Sequence, residues 1–544
     1  MNKKLKKLIM CTVMVTLCAS VFVGCGSKKD TAKTDAKVKD TGTFLANTTF
    51  KSDEPLEFNM LYSDAPNYPY QKDWLLFKEI TKRTNVTLKL TTSPASDYSQ
   101  KRSLLISTGD APLIMPKTYP GQEVPFIASG AILPISDYVS QMPNYMKKVK
   151  EWGLEGDLKS LMQKDGKYYV LPGLHEKPVQ DYSYIIRTDI FDKYKIKVPT
   201  SYDELYEATK TIKAAEPNII PWTDRYEFQN TLNLAAPTFG AIAGWGYGEG
   251  TKYTDSKTDK FVFSPVTSEY KDMLTYFNKL VKEKLLDPQS FTQSEDQAVQ
   301  KFVNGKSYII SGNSQSITSL TETMNSTIGK DKYKISKILD PAGPKGSVLA
   351  GNHLENGIMF SSKAKDNPNF NQMLHFVDWL WYSDEGQELS KWGVEGTTYT
   401  KENGVRKLTS DVTFQTLNPT GTKDLRKQYG FSGGVFAYGG SQDLYLSMLS
   451  PADVAFQTAV DKTMTILPQA PPVLFSSDER EEANLISKPL TDYVNQMSLK
   501  FMVGNQSLDT NWDDYVNQCK TKGSDKLVDM TNKVYQETKS TLNK

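Results

Sequence analysis

The stretch LEFNMLYS at residues 56–63, read with TNVTLKLTT at 84–92, decides the fold class of this chain. Both have strand composition, and the second alternates Val86, Leu88 and Leu90. Between them, KDWLLFKEITKRT places Trp74, Phe77 and Ile80 at helical spacing. A strand, a helix and a strand in this order predict a parallel sheet and therefore an α/β protein.

The same alternation continues outward from this unit. DYSQKRSLLISTGD predicts a helix ending at Gly109, and APLIMPK predicts the next strand. PTSYDELYEATKTIK carries a capping box, and EYKDMLTYFNKLVKE has one continuous apolar face. The last 150 or so residues are mostly of helical pattern. A chain of 544 residues is too long for one hydrophobic core, so two or more lobes are expected.

The amino terminus has the features of a secretory signal. Four lysines precede an apolar stretch from Leu8 to Val23, which is shorter than a membrane-spanning helix. The sequence then reads FVGC, which resembles the bacterial lipobox with Phe22 in place of its usual Leu and predicts lipid attachment at Cys25. An ordinary signal followed by a chance cysteine is the alternative. The polar segment after Cys25 predicts a flexible linker.

The cysteine count and the net charge indicate whether disulfide bonds and a nucleic-acid partner are expected. Of four cysteines, only Cys25 and Cys519 remain after removal of residues 1–24, so no disulfide is expected. That removal takes four lysines and no acid, which changes the formal net charge from +2 to −2. Nothing in this balance indicates a nucleic-acid partner. Tyrosine is abundant, with 29 residues, and suits surfaces that bind amphipathic ligands, although packing explains most individual aromatic residues.

Motifs for catalysis or metal binding are not found. The three histidines, His175, His353 and His375, have no zinc-site spacing, and no C-x-x-C occurs. GFSGG at 430–434 has the G-x-S-x-G spacing, but it lies in a glycine-rich stretch and not between a predicted strand and a predicted helix, as a nucleophile elbow requires. GWGYGEG at 244–250 is followed by a predicted hairpin and not by the helix that a dinucleotide site requires. We therefore expect neither a cofactor nor an enzyme activity, although two carboxylates of a glycosidase would leave no motif.

Four segments carry a recognisable pattern: DGKYYVLPG (165–173), YSYIIRTDIFDKYKIKVPTSYDEL (182–205), KFVNGKSYIISG (301–312) and FVDWLWYSDEGQELSKWGVEGTTY (376–399). Together they resemble the extracellular solute-binding proteins of sugar ABC importers, family 1, in their larger Gram-positive lipoprotein branch of LplA type. Members with a calcium loop have acids where this chain reads EPNIIPW (216–222), so no metal is expected there.

The resemblance implies an α/β fold of two lobes, periplasmic-binding-protein-like of type II (maltose-binding-protein-like), with a hinge and C-terminal helices. The implied parts are a signal peptide at 1–24 and a linker at 25–50; a first lobe at 51–172 plus 355–395; a second lobe at 175–352 plus 400–480; and C-terminal helices at 481–544. Ligand is then expected between lobes that close by a hinge.

Sugars have apolar C–H faces and a rim of hydroxyls, so aromatic residues beside carboxylates, amides or Arg on loops are the candidates for binding. These are Asp64, Asn67, Tyr68, Tyr70, Asp110, Tyr119, Arg187, Trp222, Asp224, Trp245, Glu395, Tyr399, Phe436 and Tyr438. Loop stiffening, helix capping, core packing of Trp222 and a salt bridge at Arg187 are the structural alternatives.

The resulting hypothesis is a monomeric, lipid-anchored receptor on the extracellular face of the cell membrane. It captures a carbohydrate, expected to be an oligosaccharide, and delivers it to an ABC permease. The alternatives are a peptide-binding lipoprotein, a surface glycoside hydrolase, and a sensor that presents bound sugar to a membrane kinase.

Overall fold

The computed structural model describes residues 44–542, and the predicted signal peptide and Cys25 lie outside this range. Within it, buried side chains form two large hydrophobic cores. Phe58, Trp379 and Trp381 lie in the first core, whereas Tyr184 and Trp222 lie in the second. Each core has a smaller satellite cluster beside it. We call the two cores with their covering elements the first and second lobes.

The first lobe begins with a sheet and the helices that cover it. Its elements up to the first crossing are β1 (Leu56–Asp64), α1 (Leu75–Thr84), β2 (Val86–Pro94), α2 (Tyr98–Ser107), β3 (Ile114–Thr118), α3 (Val124–Ile127), α4 (Pro143–Trp152), α5 (Glu155–Lys159) and β4 (Leu171–Leu174). β1 pairs in parallel with β2 over nine residues, from Leu56 opposite Val86 to Asp64 opposite Pro94. The predicted strand–helix–strand unit is therefore confirmed.

The second lobe is built from the next stretch of chain. Its elements are β5 (Ser183–Arg187), α6 (Thr188–Lys193), α7 (Tyr202–Ala215), α8 (Gln229–Phe239), β6 (Thr251–Tyr253), β7 (Phe261–Phe263), α9 (Ser268–Lys282), α10 (Glu295–Val303), β8 (Ile309–Gly312), α11 (Ser314–Thr327), β9 (Ile335–Ile338) and β10 (Val348–Ala350). β5 is the middle strand of a small antiparallel sheet with β8 and β9 on either side. The predicted hairpin after the glycine-rich loop is the pair β6 and β7.

The remaining chain returns to the first lobe and ends in helices. It contains β11 (Leu354–Phe360), α12 (Phe370–Tyr382), α13 (Asp384–Trp392), β12 (Tyr399–Glu402), β13 (Val405–Leu408), β14 (Val412–Thr413), β15 (Lys423–Asp424), α14 (Leu425–Tyr429), α15 (Gln442–Ser447), α16 (Pro451–Thr463), β16 (Thr465–Leu467), α17 (Ser477–Met502), α18 (Trp512–Thr521) and α19 (Ser524–Leu542). β11 enters the first sheet between β3 and β4 and is antiparallel to both.

Two predicted boundaries differ from the structure at the start of the chain and after α13. The linker was expected to extend to residue 50, but Phe44 stacks on His375 at 4.8 Å and Phe50 is buried. Residues 400–480 were expected in the second lobe. Instead, Phe414, Leu425 and other buried residues up to Met448 pack in the first core, where their apolar side chains are removed from water.

The C-terminal helices are not a separate unit. Buried side chains of α17 and α18, including Leu490, Phe501 and Tyr515, belong to the second core. α17 runs through Pro489 without interruption. Cys519 is a free, buried thiol in this core.

The crossing between the lobes is short and cross-linked. The chain leaves the first sheet at Leu174 and enters β5 at Ser183, and Leu354 of the returning strand lies opposite Leu174. Glu355 connects these segments: its Oε2 accepts a hydrogen bond from the backbone N–H of Gly439 (3.0 Å) and lies 2.8 Å from His175 Nε2. Burial tends to raise the pKa of Glu355, but the contact with His175 outweighs it and the pKa is lowered.

Candidate functional site

The topology brings one edge of each sheet to the crossing. β1, β3 and β4 run in the same direction, so Asp64, Thr118 and Leu174 end at one edge of the first sheet. The crossing leaves from that edge. On the second lobe it enters at Ser183, which is paired with Gly312 at the end of β8. Loops that follow the carboxyl ends of parallel strands are where ligands usually bind in such sheets.

The loop after β1 is folded tightly around Asp64. Its Oδ1 accepts a hydrogen bond from the backbone N–H of Tyr70 at 2.8 Å. This turn places Tyr68 against the Gly433–Gly434 segment, where its hydroxyl accepts from the N–H of Gly434 at 3.3 Å. The guanidinium of Arg426 covers the Tyr68 ring at 5.0 Å. Asn67 is exposed at the tip of the loop.

The loop after β3 presents a second aromatic ring. Tyr119 leaves 49% of its surface exposed, with the Lys117 ammonium 5.5 Å from the ring centre. Lys117 has a φ of +52°, in the left-handed region that is unfavourable for a side chain. Buried Arg102 stabilises this turn by donating to the Lys117 carbonyl at 3.0 Å and to Gln122 Oε1 at 2.8 Å.

A group of three rings lies at the facing edge of the second lobe. Trp245 is 49% exposed and lies 5.2 Å from the Tyr182 ring and 5.3 Å from the Tyr226 ring. Tyr119 and Trp245 are the exposed aromatic residues of the described chain, one in each lobe. Burial raises the pKa of Tyr182 and of Tyr226, so both hydroxyls stay protonated and can donate hydrogen bonds at neutral pH.

The backbone that carries these rings is strained and closely packed. Tyr226, Glu227 and Phe228 have consecutive φ values of +56°, +52° and +68°. Gly244, directly before Trp245, has a φ of +61°, and a Cβ there would lie 2.0 Å from the Gln229 carbonyl. Non-glycine residues hold such a conformation only where surrounding contacts enforce it, and strain of this kind concentrates at ligand sites.

Arg225 supplies one of those contacts. Its guanidinium donates to the Ser311 carbonyl and to the Ser316 hydroxyl, both at 2.8 Å, and lies 4.8 Å from the centre of the Tyr226 ring. The side chain is buried, so its charge holds the Tyr226 ring in position and is not exposed to solvent. Phe228 anchors the other end of the strained segment in the second core.

Six predicted site residues are buried against the protein itself. Trp222 and Asp224 are fully buried, and the other four are at most 6% exposed: Arg187, Tyr399, Phe436 and Tyr438. In this structure these six side chains face the protein interior, and a contact between them and a ligand stays a prediction.

Their partners explain the burial. Trp222 packs 5.2 Å from Tyr184 in the second core, and Phe436 stacks on Trp381 at 5.4 Å in the first. Asp224 accepts from Thr231 and from the N–H of Ser311, although burial still raises its pKa.

The other buried candidates have equally clear positions. Arg187 makes two parallel hydrogen bonds to Asp189 at 2.8 and 2.7 Å, the structural salt bridge that was the alternative. The Tyr399 hydroxyl donates to Glu388 at 2.7 Å. Tyr438 lies over Gly173 of β4, where a Cβ would come within 2.6 Å of the ring.

The exposed candidates divide between the facing edge and other places. Tyr70 lies beside the Asp64 loop but packs on Trp74 and Phe77. Asp110 lies before the first residue of β3, at the edge of the sheet opposite to Asp64, so the structure does not bring it to the site. Glu395 is exposed in the turn between α13 and β12, and its role stays a prediction.

The sequence analysis did not identify four residues that lie beside the candidate aromatic rings: Tyr182, Tyr226, Lys117 and Arg426. Tyr226 stands in the same PWTDRY segment as Trp222 and Asp224, and Tyr182 directly precedes β5. Both positions were readable in the sequence, whereas Arg426 reaches Tyr68 only through long-range folding.

Two further kinds of feature, a metal-binding cluster and a membrane-spanning helix, are not found among the described residues. Between residues 44 and 542 there is no group of three His, Cys, Asp or Glu side chains arranged to hold a metal ion. None of the helices in this range is both long enough and apolar enough to span a membrane.

The sequence is similar to a known protein family and to characterised members of it. A family model described as bacterial extracellular solute-binding protein matches residues 68–388. The fructooligosaccharide ABC transporter substrate-binding protein FusA of Streptococcus pneumoniae serotype 4 is 23% identical, over 99% of this chain and 100% of that protein. The polygalacturonan/rhamnogalacturonan-binding protein YtcQ of Bacillus subtilis strain 168 is 24% identical, over 85% and 88% of the two chains.

Solved structures show the same architecture. The alginate-binding protein AlgQ2 without calcium ion superposes with a TM-score of 0.68 at 20% identity, covering 90% of this chain and 100% of that one. The family match covers more than half of the sequence, so this chain belongs to the bacterial extracellular solute-binding proteins. The predicted two-lobe, periplasmic-binding-protein-like fold and the family resemblance are both confirmed.

Proposed function

We propose that this protein captures an oligosaccharide between its two lobes and delivers it to an ABC permease. The observation that carries the proposal is the pair of half-exposed rings at the facing edges, Tyr119 on the first lobe and Trp245 on the second. Each ring can cover an apolar C–H face of a sugar. The names of relatives that align over most of this chain, one for fructooligosaccharides and one for polygalacturonan and rhamnogalacturonan, support this ligand class.

The polar groups beside the rings suit the hydroxyl rim of a sugar. Lys117 lies beside the first ring, Asn67 is exposed on the neighbouring loop after β1, and the protonated hydroxyls of Tyr182 and Tyr226 border the second ring. Ligand that contacts both sides stabilises the closed arrangement of the lobes, because only that arrangement offers both sets of contacts. The closed form is then the state that a permease can distinguish from the empty one. We propose that the protein binds and releases its ligand without chemical change.

A thermal-shift screen with a glycan panel tests this function. The panel contains monosaccharides, fructooligosaccharides, oligogalacturonates and neutral oligosaccharides of other linkages, each added to the chain from Gly26 to Lys544. We expect at least one oligosaccharide to raise the melting temperature in a saturable way, since ligand that binds only the folded state stabilises it. If no glycan does so while a peptide library does, the peptide-binding alternative is correct.

We also propose that a lipid on Cys25 anchors the protein to the extracellular face of the membrane, where it acts as a monomer. The support is the FVGC sequence after the apolar stretch and the polar segment that follows it. Replacing Cys25 by Ala in the producing bacterium should release the protein into the medium or stop its processing. Unchanged mass and unchanged membrane association of the variant would contradict lipid attachment.

A further inference from the structure

A groove with a cavity volume of about 740 Å³ lies between the two lobes and is lined by residues of both. One wall is formed by the first lobe, with Val124, Ile127 and Ala128 of the α3 segment. The other wall is formed by α17, with Asn484, Leu485 and Lys488. The volume is within the range of small-molecule sites in proteins.

The groove is continuous with the candidate site on both walls. On the first lobe, Tyr119 and α3 are joined by one turn, in which the Gln122 N–H donates to the Tyr119 carbonyl at 3.0 Å. On the second lobe, Glu249 of the Trp245 loop forms an ion pair with Arg480 of α17 at 2.7 Å. Arg480 itself lines the groove. Both exposed rings therefore stand within one short loop of its opening.

The walls carry the chemistry that a sugar chain requires. Leu485 is 71% exposed, which is a large apolar surface for a side chain that faces a cavity. Asn484 and Lys488 are exposed on the same helix and can bond hydroxyls. The groove is bounded by an ion pair across the lobes, Lys164 Nζ to Glu479 Oε2 at 3.0 Å. Its shape thus depends on the arrangement of both lobes.

We propose that this groove is a distal subsite for the sugar units beyond those held between Tyr119 and Trp245, so that the protein selects longer oligosaccharides. The inference rests on the proposed function and adds to it a preference for chain length. A ligand of a few units fills the space between the rings, and a longer one continues along Leu485 and Asn484.

Binding constants for short and long members of the same series test the inference. The probes are 1-kestose with an inulin-type hexasaccharide, and trigalacturonate with hexagalacturonate, measured by titration calorimetry. Should the glycan screen select another series, its three-unit and six-unit members are used in the same way. We expect the longer member to bind at least about tenfold more tightly than the shorter one.

Two matched variants locate that gain. Asn484→Trp fills the groove, whereas Asn495→Trp places the same side chain at an exposed position further along α17, away from the groove lining. We expect Asn484→Trp to remove the advantage of the longer sugar and to leave the shorter one within about twofold of its original affinity. Asn495→Trp should change neither affinity.

Three results would overturn the inference. The first is equal affinity of the original protein for short and long members, which leaves the proposed function intact. The second is an equal loss for both lengths in Asn484→Trp. The third is an Asn484→Trp variant that binds both lengths with unchanged affinity but no longer supports uptake of the sugar in cells. That result would mean that the groove contacts the permease. Absence of binding by any glycan removes the proposed function and this inference together.

Discussion

Two tryptophans illustrate how position decides the role of a residue in this protein. Trp222 is fully buried, with Tyr184 and Phe228 around it in the second core. Trp245 stands half exposed on a loop at the edge of the same lobe. Both occur in loop-like sequence beside glycine, proline or aspartate, so composition alone could not separate them.

Alanine at the two positions should change stability by very different amounts. Trp222→Ala is expected to lower the free energy of unfolding by about 3–5 kcal/mol, because it leaves a large cavity in the core. Trp245→Ala is expected to change it by less than about 1 kcal/mol, as at other exposed sites. Urea unfolding followed by circular dichroism measures both values. Similar losses in the two variants would contradict the burial described for them.

A buried carboxyl beside the crossing makes stability depend on pH. Asp340 accepts a hydrogen bond from the Ser183 hydroxyl at 2.9 Å, and burial raises its pKa from 3.8 to about 7. The folded protein therefore keeps this proton at pH values where the unfolded chain has released it. Its contribution to stability is complete below pH 4 and is lost as the pH rises towards 7.

Asp340→Asn should flatten this dependence, because the amide carries no charge at any pH. Between pH 5 and pH 8, the original protein is expected to lose on the order of 2 kcal/mol more of its unfolding free energy than the variant does. Urea midpoints at the two pH values give the difference. Parallel pH profiles for both proteins would show that Asp340 does not hold the proton.

Among the elements, those with local signals were predicted and those with long-range partners were not. The first strand–helix–strand unit, α9 and the hairpin β6–β7 follow from periodicity and turn residues. The Ser201 cap was half correct: its hydroxyl accepts from the Glu204 N–H, but the Glu204 carboxylate binds Thr200. β11 pairs with β3 and β4, which are far from it in sequence, and no local sequence pattern indicates such a pairing.

The pairing of β11 with β4 depends on one close backbone approach. A Cβ on Gly357 would lie 2.0 Å from the Leu171 carbonyl, at the irregular register between the two strands. Gly357→Ala should therefore lower the melting temperature by several degrees, equivalent to about 2 kcal/mol or more. Gly156→Ala in α5, where a Cβ meets nothing within 4 Å, is the control and should be neutral or stabilising.

At the scale of the whole molecule, the two lobes and the crossing were predictable, but the division of the chain was not. The family resemblance implied that the first stretch of the first lobe ends at residue 172 and that the second lobe begins at 175, and in the structure the chain crosses between Leu174 and Ser183. Residues 400–448 were expected in the second lobe, but Phe414, Leu425 and other buried side chains of this segment belong to the first core. Sequence order does not reveal which core an apolar segment completes.

The same limit applies to the candidate site. Tyr119 and Trp245 were predicted and lie at the facing edges, whereas six other candidates are buried in the two cores. The local sequence around an aromatic residue beside Asp or Gly looks the same whether the side chain faces solvent or a core. Only the packing of the complete chain distinguishes them, and it also brings Tyr182 and Tyr226 beside Trp245.

The central claim is that ligand binds between the lobes and contacts both. Titration calorimetry of the best glycan from the screen, with the original protein, Tyr119→Ala and Trp245→Ala, tests it most directly. We expect one binding site per chain and a loss of affinity of at least about fivefold in each of the two variants, since stacked aromatic contacts contribute around 1 kcal/mol. Affinity that is unchanged in both variants would contradict it.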